Sequence, residues 1–178
     1  MTSLVLGIDL GTSGVRIALM DQGHSTQYSD AIPYNVGLNS SEDWTRACST
    51  LIHGIPAEQR SNIRALAIDG TSGTLLACDL EGRARGKALL YSEVCHGFEQ
   101  QLQKLVPEGD AASSSSGSLA RALQLTKLYG PKTLLRHQAD WMSGWFLDDW
   151  SWGEEGNNLR LGWNLENHAW PGALMEQT

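Results

Sequence analysis

The stretch Leu6-Gly7-Ile8-Asp9-Leu10-Gly11-Thr12-Ser13-Gly14-Val15-Arg16 decides how the rest of the chain is read. Its apolar lead, Leu4 to Ile8, is the short continuous run expected of a strand buried on both faces. The run stops at Asp9, Gly11 to Gly14 gives a turn, and Val15 to Met20 resumes as a second strand closed by Asp21-Gln22-Gly23. A third, more polar strand follows at about Ser25 to Tyr34. Strands joined by turns this short must be antiparallel, because a parallel return needs a crossover of about a dozen residues or more.

That crossover comes next. Ser40 with Asp43 makes a capping-box pattern, and Trp44, Ala47, Cys48, Leu51, Ile52 and Ile55 recur at helical spacing until Pro56. Ile63 to Ile68 is another apolar strand, so the first part of the chain predicts β-β-β-α-β in one mixed sheet. One more hairpin strand is expected at Thr74 to Cys78. The second half reads as mostly helical. Val94, Phe98, Leu102 and Leu105 form one stripe, and Ala111 to Gly117 has the composition of a linker. Ser118 predicts the N-cap of an apolar helix, which Gly130-Pro131 ends before opening the next. Six of the seven tryptophans fall between Trp141 and Trp170, where core or a domain contact is expected ahead of a stacking platform for a ligand.

Composition narrows the function classes. The 178 residues are 41% hydrophobic and 19% charged, which argues against intrinsic disorder. Lys and Arg number 13 against 20 Asp and Glu, a net charge of −7, so neither a nucleic acid nor an anionic membrane is an expected partner. No stretch approaches the roughly 20 apolar residues that cross a bilayer. Met1 to Leu10 has no basic lead and carries Asp9, unlike a signal peptide. Cys48, Cys78 and Cys95 are odd in number and sit among apolar neighbours, as reduced packing residues of a cytosolic protein do. Cys95-His96 lacks the second ligand cluster of a zinc site.

The chemistry lies in an internal echo. Ile8-Asp9-Leu10-Gly11-Thr12-Ser13-Gly14 is repeated as Ile68-Asp69-Gly70-Thr71-Ser72-Gly73, each at the end of an apolar strand and each followed by a second strand ending at an aspartate, Asp21 or Asp79. If the two strands are parallel neighbours, Asp9 and Asp69 share one edge of the sheet with both turns beside them. Glycine turns let backbone N–H groups close around phosphate oxygens, and Thr12 and Ser13 add hydroxyl donors. Asp9 suits phosphate only with Mg²⁺ or an ordered water between them. Arg16 is placed to hold Asp9, to meet phosphate, or simply to face solvent. Other phosphate signatures fail: Gly82 to Lys87 is one residue short of a P-loop, and no G-x-G-x-x-G follows a strand.

The stretch Leu6 to Arg16 closely resembles the first phosphate motif of the FGGY carbohydrate kinases, within the actin-like ATPase superfamily. Ala67 to Asp79 resembles their sugar-contacting loop, and Ala88-Leu89-Leu90-Tyr91-Ser92-Glu93 their Trp-Asn-Asp strand. Ser116 to Leu125 looks like a helix start near the sugar, and Asn157 to Asn164 with Trp170-Pro171 like an Asn-Ala-rich motif and the Trp-Pro after it. The nearest branch is that of plant and cyanobacterial ribulose/xylulose-kinase-like proteins.

The resemblance implies an α/β fold of the actin-like ATPase and ribonuclease H-like type, with a helical second half. It implies Mg²⁺-dependent transfer of the γ-phosphoryl of ATP to a ketopentose, D-ribulose ahead of D-xylulose. Asp9, Gly11, Thr12, Ser13 and Arg16 would position phosphate and metal, Asp9 holding Mg²⁺ through water. Asp69, Thr71, Ser72 and Gly73 would line the sugar site. Ser72 and Gly73 stand where glycerol kinases carry an Arg-Glu pair, which argues against glycerol. The run Ser113 to Ser116 would then be a substrate-side loop and not a free linker. Residues 1–178 are expected to be the N-terminal, sugar-binding lobe, cytoplasmic or in the plastid stroma of a plant. The catalytic base would follow Thr178, and a C-terminal nucleotide-binding lobe would be the missing partner. The chain alone is expected to be inactive as a kinase, and no oligomeric state is assigned.

Two rivals use the same residues. A truncated lobe could hold sugar without turnover. A ribonuclease H-like two-metal nuclease would place Asp9 and Asp69 on its first and fourth strands, with Glu42 or Asp43 as a third carboxylate. Those helix acids serve more simply as caps.

Overall fold

The computed structural model describes residues 3–107 and 109–175. Its contacts divide the chain into two compact units, Met1–Thr71 and Ser72–Thr178.

The first unit is a four-stranded mixed sheet. β1 (Leu4–Leu10), β2 (Gly14–Asp21) and β3 (Thr26–Pro33) form an antiparallel meander, and the helices α1 (Ser41–Gly54) and α2 (Ala57–Arg60) lead into β4 (Ile63–Gly70). β4 pairs parallel to β1, giving the order β3-β2-β1-β4. Alternation along β1 and β2 sends Leu4, Leu6, Ile8, Leu10, Val15, Ile17 and Leu19 to one face, where all are buried. α1 packs across β2 and β3 and buries Trp44, Ala47, Cys48 and Leu51. The Trp44 indole donates to the Leu38 carbonyl at 2.7 Å; truncating so large a buried ring to Ala costs about 3–5 kcal/mol.

The opposite face of the sheet corrects the expectation of a strand buried on both sides. Val5 is 46% exposed, and Leu66 on β4 is exposed as well. An apolar run reports low polarity along a strand; it does not count the layers stacked on it.

At the start of α1, Ser40 is the N-cap and its Oγ accepts from the Asp43 amide at 3.2 Å. Only half of a capping box forms. The Asp43 carboxylate instead accepts from the amides of Val36 and Gly37 and pairs with Arg46.

The second unit is mostly helical, around a two-stranded antiparallel sheet of β5 (Leu75–Cys78) and β6 (Leu134–His137). α3 (Glu99–Leu105), a 3-10 turn (Ala111–Ser113) and α4 (Ser118–Tyr129) precede β6; α5 (Gln138–Leu147), α6 (Glu155–Leu159) and α7 (Gly172–Met175) follow it. The core joins Leu75 and Ala77 of β5 to Phe98, Leu102, Leu119 and Leu125.

Five expectations are corrected here. The strand after the second turn does not fold back on β4: all of β5 is buried, and it finds its partner in β6, with Leu75 opposite His137. Gly130-Pro131 therefore leads first into a strand, and the helix starts only at Gln138. Gly117, not Ser118, is the N-cap of α4, which carries no side-chain cap. The linker-like segment is ordered, because Asp110 caps the 3-10 turn and Ala112 sits in the core. Val94 also falls outside α3 and is exposed.

Part of the tryptophan-rich end contributes to packing, while Trp145 and Trp152 are exposed. Trp141 donates from its ring to the Gly82 carbonyl at 2.9 Å, and Trp150 donates to the Trp141 carbonyl at 3.0 Å. The Trp150 ring lies so close to Gly82 and Gly144 that a Cβ at either would fall within it. Among the described residues no helix is long and apolar enough to cross a membrane.

Candidate functional site

The parallel register of β1 and β4 sets Asp9 opposite Asp69, and the antiparallel register of β1 and β2 sets Asp9 opposite Arg16. Three charged residues foreseen in the sequence thus meet at one end of the sheet. All three lie at the open face, beside a cavity of about 650 Å³ whose floor is narrow-chained at Gly7, Ala18 and Ala67. Arg16 Nε stands 3.7 Å from Asp9 Oδ2, with side chains 67% and 49% exposed, so the pair is hydrated and contributes at most about 1 kcal/mol. Arg16 thus both meets Asp9 and faces solvent. Asp69 Oδ1 accepts from the Gly70 amide at 2.8 Å, which orients its carboxylate along the turn.

Directly after Asp9 and Leu10 comes the first glycine turn. Gly11 N–H donates to the Gly14 carbonyl at 3.0 Å and the Ser13 carbonyl accepts from Tyr34 N–H at 3.1 Å, so the turn is fixed at both ends. Thr12 and Ser13 between them are exposed, with hydroxyls free to meet a ligand. The turn needs glycine at position 14: a Cβ there would run into the Ile32 carbonyl oxygen and stand 2.8 Å from Pro33 Cα.

The four residues expected to touch sugar are divided. Asp69 and Thr71 close the first unit; Ser72 and Gly73 open the second. Ser72 is exposed and lines a cavity of about 390 Å³ with Tyr91, Ser116, Gly117, Ser118, Arg121 and Arg160. Gly73 is held by its carbonyl, which accepts from Arg121 Nε at 3.0 Å. Arg121 Nη1 donates to the carbonyls of Tyr91 (3.2 Å), Glu93 (2.8 Å) and Ser116 (2.9 Å), so one guanidinium ties the second glycine turn, the Tyr91 segment and the serine loop together. Of the serine run, Ser116 lines this cavity.

Tyr91, Arg121 and Arg160 were not singled out as site residues from sequence. Arg121 left a signal, since it interrupts the apolar run Leu119-Ala120-Arg121-Ala122-Leu123 on a helix that is otherwise core-facing. Its burial, and then the nearby Arg160, disfavour its charge and lower its pKa, while Cys95 and Glu93 act the other way.

Asp43, the candidate third carboxylate of the nuclease reading, is buried and committed to its two amides and Arg46. The three cysteines are free and buried. Burial pushes the Cys48 thiol up to about 12 and the Cys78 thiol to about 11, so both are packing groups and not nucleophiles.

No known family model matches the sequence. The fold is that of solved sugar kinases. A xylulose kinase from Rhodospirillum rubrum superposes with a TM-score of 0.78 at 13% identity, over 98% of this chain and 41% of that one. Glycerol kinase from Plasmodium falciparum, solved with ADP, gives 0.71 at 12% identity over 98% and 40%. Xylulose kinase from Bifidobacterium adolescentis gives 0.69 at 13% identity over 95% and 41%. The chain spans about two fifths of the length of these kinases. At such identities the likeness establishes the mixed α/β, actin-like ATPase and sugar-kinase fold.

Proposed function

We propose that this chain is the sugar-binding, phosphate-loop lobe of an ATP-dependent carbohydrate kinase of the FGGY type. The observation that carries this reading is the register that puts Asp9 level with Asp69, each followed by a Gly-Thr-Ser-Gly or Thr-Ser-Gly turn, in a fold shared with sugar kinases.

Phosphoryl transfer asks the protein chiefly for positioning and for charge stabilisation. Gly11 allows the backbone to approach a phosphate, and the exposed hydroxyls of Thr12 and Ser13 donate to its oxygens. Arg16 stands beside them as a cation in loose contact with Asp9. Asp9 fits Mg²⁺: it is an oxygen ligand, half in solvent, with room for the waters that Mg²⁺ retains. When bound, the ion would supply neutralisation of the nucleotide's phosphate charge. Asp69, Thr71, Ser72 and Gly73 supply carboxylate, hydroxyl and backbone groups suited to a polyhydroxyl acceptor.

The acceptor we infer is a ketopentose, D-ribulose ahead of D-xylulose, because Ser72 and Gly73 leave a small loop where a triol-gripping Arg-Glu pair would sit. Within the FGGY resemblance these residues supply the sugar and phosphate contacts, and the catalytic base and adenine site belong to the C-terminal lobe. Calorimetric titration with D-ribulose, D-xylulose and glycerol tests the acceptor. Ketopentose binding weakened by Asp69→Asn, with glycerol silent, is the expected result. Glycerol binding as tightly as either ketopentose would overturn the assignment.

A further inference from the structure

The 390 Å³ cavity of the second unit has a cationic wall with no anion to match it. Gly117 and Ser118, at the N-terminus of α4, form part of that wall. This twelve-residue helix has no side-chain cap, so the amides of its first turn lack an acceptor inside the helix and carry about half a positive charge. Ser118 is 1% exposed and its Oγ has no hydrogen-bond partner among the described residues. A buried hydroxyl left in that state is costly and points to a missing partner.

Arg121 lies one turn further along α4 and is 3% exposed. Its Nε and Nη1 are taken up by four carbonyl oxygens; Nη2 makes no hydrogen bond among the described residues. Arg160, the C-cap of α6, is exposed and lines the same cavity. Among the described residues neither arginine forms a salt bridge. The Glu93 carboxylate, which acts on Arg121 through space, is turned to the Leu90 amide at 2.8 Å. A buried guanidinium with no salt bridge among the described residues, at an uncapped helix start and beside a second arginine that lines the same cavity, has the donor set that oxyanions occupy.

We propose that this cavity is an oxyanion site that takes the carboxylate or phosphate ester of an open-chain sugar, with Arg121 Nη2, Arg160 and Ser118 at the start of α4 as its donors. The proposal rests on the sugar-lobe reading and departs from its neutral ketopentose at one point: the sugar that this cavity prefers carries an anionic group, as a sugar acid or a ketopentose phosphate does.

The test is calorimetry on the full chain with D-gluconate, D-ribulose 5-phosphate, inorganic phosphate and neutral D-ribulose, for wild type and Arg160→Gln. Arg160 is exposed, so this variant keeps the fold, whereas Arg121 ties four carbonyls and is left intact. An anionic sugar is expected to bind about tenfold or more tightly than D-ribulose, and the ratio should fall toward one in Arg160→Gln and at high salt. Gluconate as the tighter ligand assigns the site to a carboxylate, ribulose 5-phosphate to a phosphate ester. Binding of inorganic phosphate that Arg160→Gln weakens, with no sugar bound, would uphold the oxyanion site and overturn the sugar reading. Equal affinity for anionic and neutral sugars, or anion binding indifferent to Arg160→Gln, would overturn the oxyanion site and leave the sugar reading standing. No binding of any anion overturns the proposal outright.

Discussion

Replacing Asp43 with Asn should cost about 2 kcal/mol of stability at neutral pH and remove part of the protein's acid sensitivity. The carboxylate is buried, accepts from the amides of Val36 and Gly37, and meets Arg46 at 2.9 Å. Burial alone raises its pKa; the amides of Val36, Gly37 and Asn35 together with Arg46 outweigh that and bring it from 3.8 to about 2. A drop of nearly two units at about 1.4 kcal/mol each gives roughly 2.5 kcal/mol, which the partly solvated Arg46 reduces toward about 2.

The folded pKa is depressed, so this stability is present above the unfolded value near 3.8 and is lost as pH falls through about 2. Urea unfolding followed by circular dichroism at a series of pH values reads both effects. Wild type should weaken between about pH 4 and pH 2, while Asp43→Asn starts lower and loses about 2 kcal/mol less across that window. A variant within about 0.5 kcal/mol of wild type at pH 7, or one with an unchanged acid slope, would refute the assignment of Asp43 as the anchor of α1.

Gly14→Ala should destabilise the first unit by about 2–4 kcal/mol, because its Cβ meets β3 backbone that cannot move without breaking the sheet; chemical denaturation measures it. His137 is buried with no partner for either ring nitrogen among the described residues, and burial followed by Arg121 and Arg160 pushes its pKa from 6.5 down to about 4. Its folded pKa is depressed, so the neutral ring's contribution is full above about pH 6.5 and is lost as pH falls toward 4; His137→Leu should flatten the melting temperature across that window. Cys48 and Cys78 should resist iodoacetamide at pH 8 until the chain is unfolded, and labelling at the rate of a free thiol would contradict their burial.

Local patterns carried the meander, α1 and β4, since each depends on neighbours a few residues away: the Leu4–Ile8 apolar run, the Ser40 cap, the Gly11–Gly14 turn. The meeting of Asp9 and Asp69 was conditional, because a strand-helix-strand unit can return beside β3 or beside β1, and the parallel β1–β4 pairing is what brings them level. What escaped depends on distant partners. Nothing near Leu75 names His137 as its neighbour across the β5–β6 pair. Nothing in Leu4 to Ile8 shows that one face of β1 stays open. Ala112 reads as linker because the serine run beside it sets the local composition, while its burial comes from the flanking α3 and α4, which pack on the 3-10 turn. Arg121 was visible as a lone charge among apolar residues, but the carbonyls it joins come from three separate segments.

The central claim, a sugar-kinase lobe with its phosphate site at Asp9, is tested most directly by ATP consumption with D-ribulose or D-xylulose and Mg²⁺. The assay joins these 178 residues to the C-terminal lobe of a sugar kinase of the same fold. Ketopentose-dependent turnover by the joined protein, reduced about 100-fold or more on Asp9→Asn, is the predicted result. Ketopentose turnover that survives Asp9→Asn would contradict it.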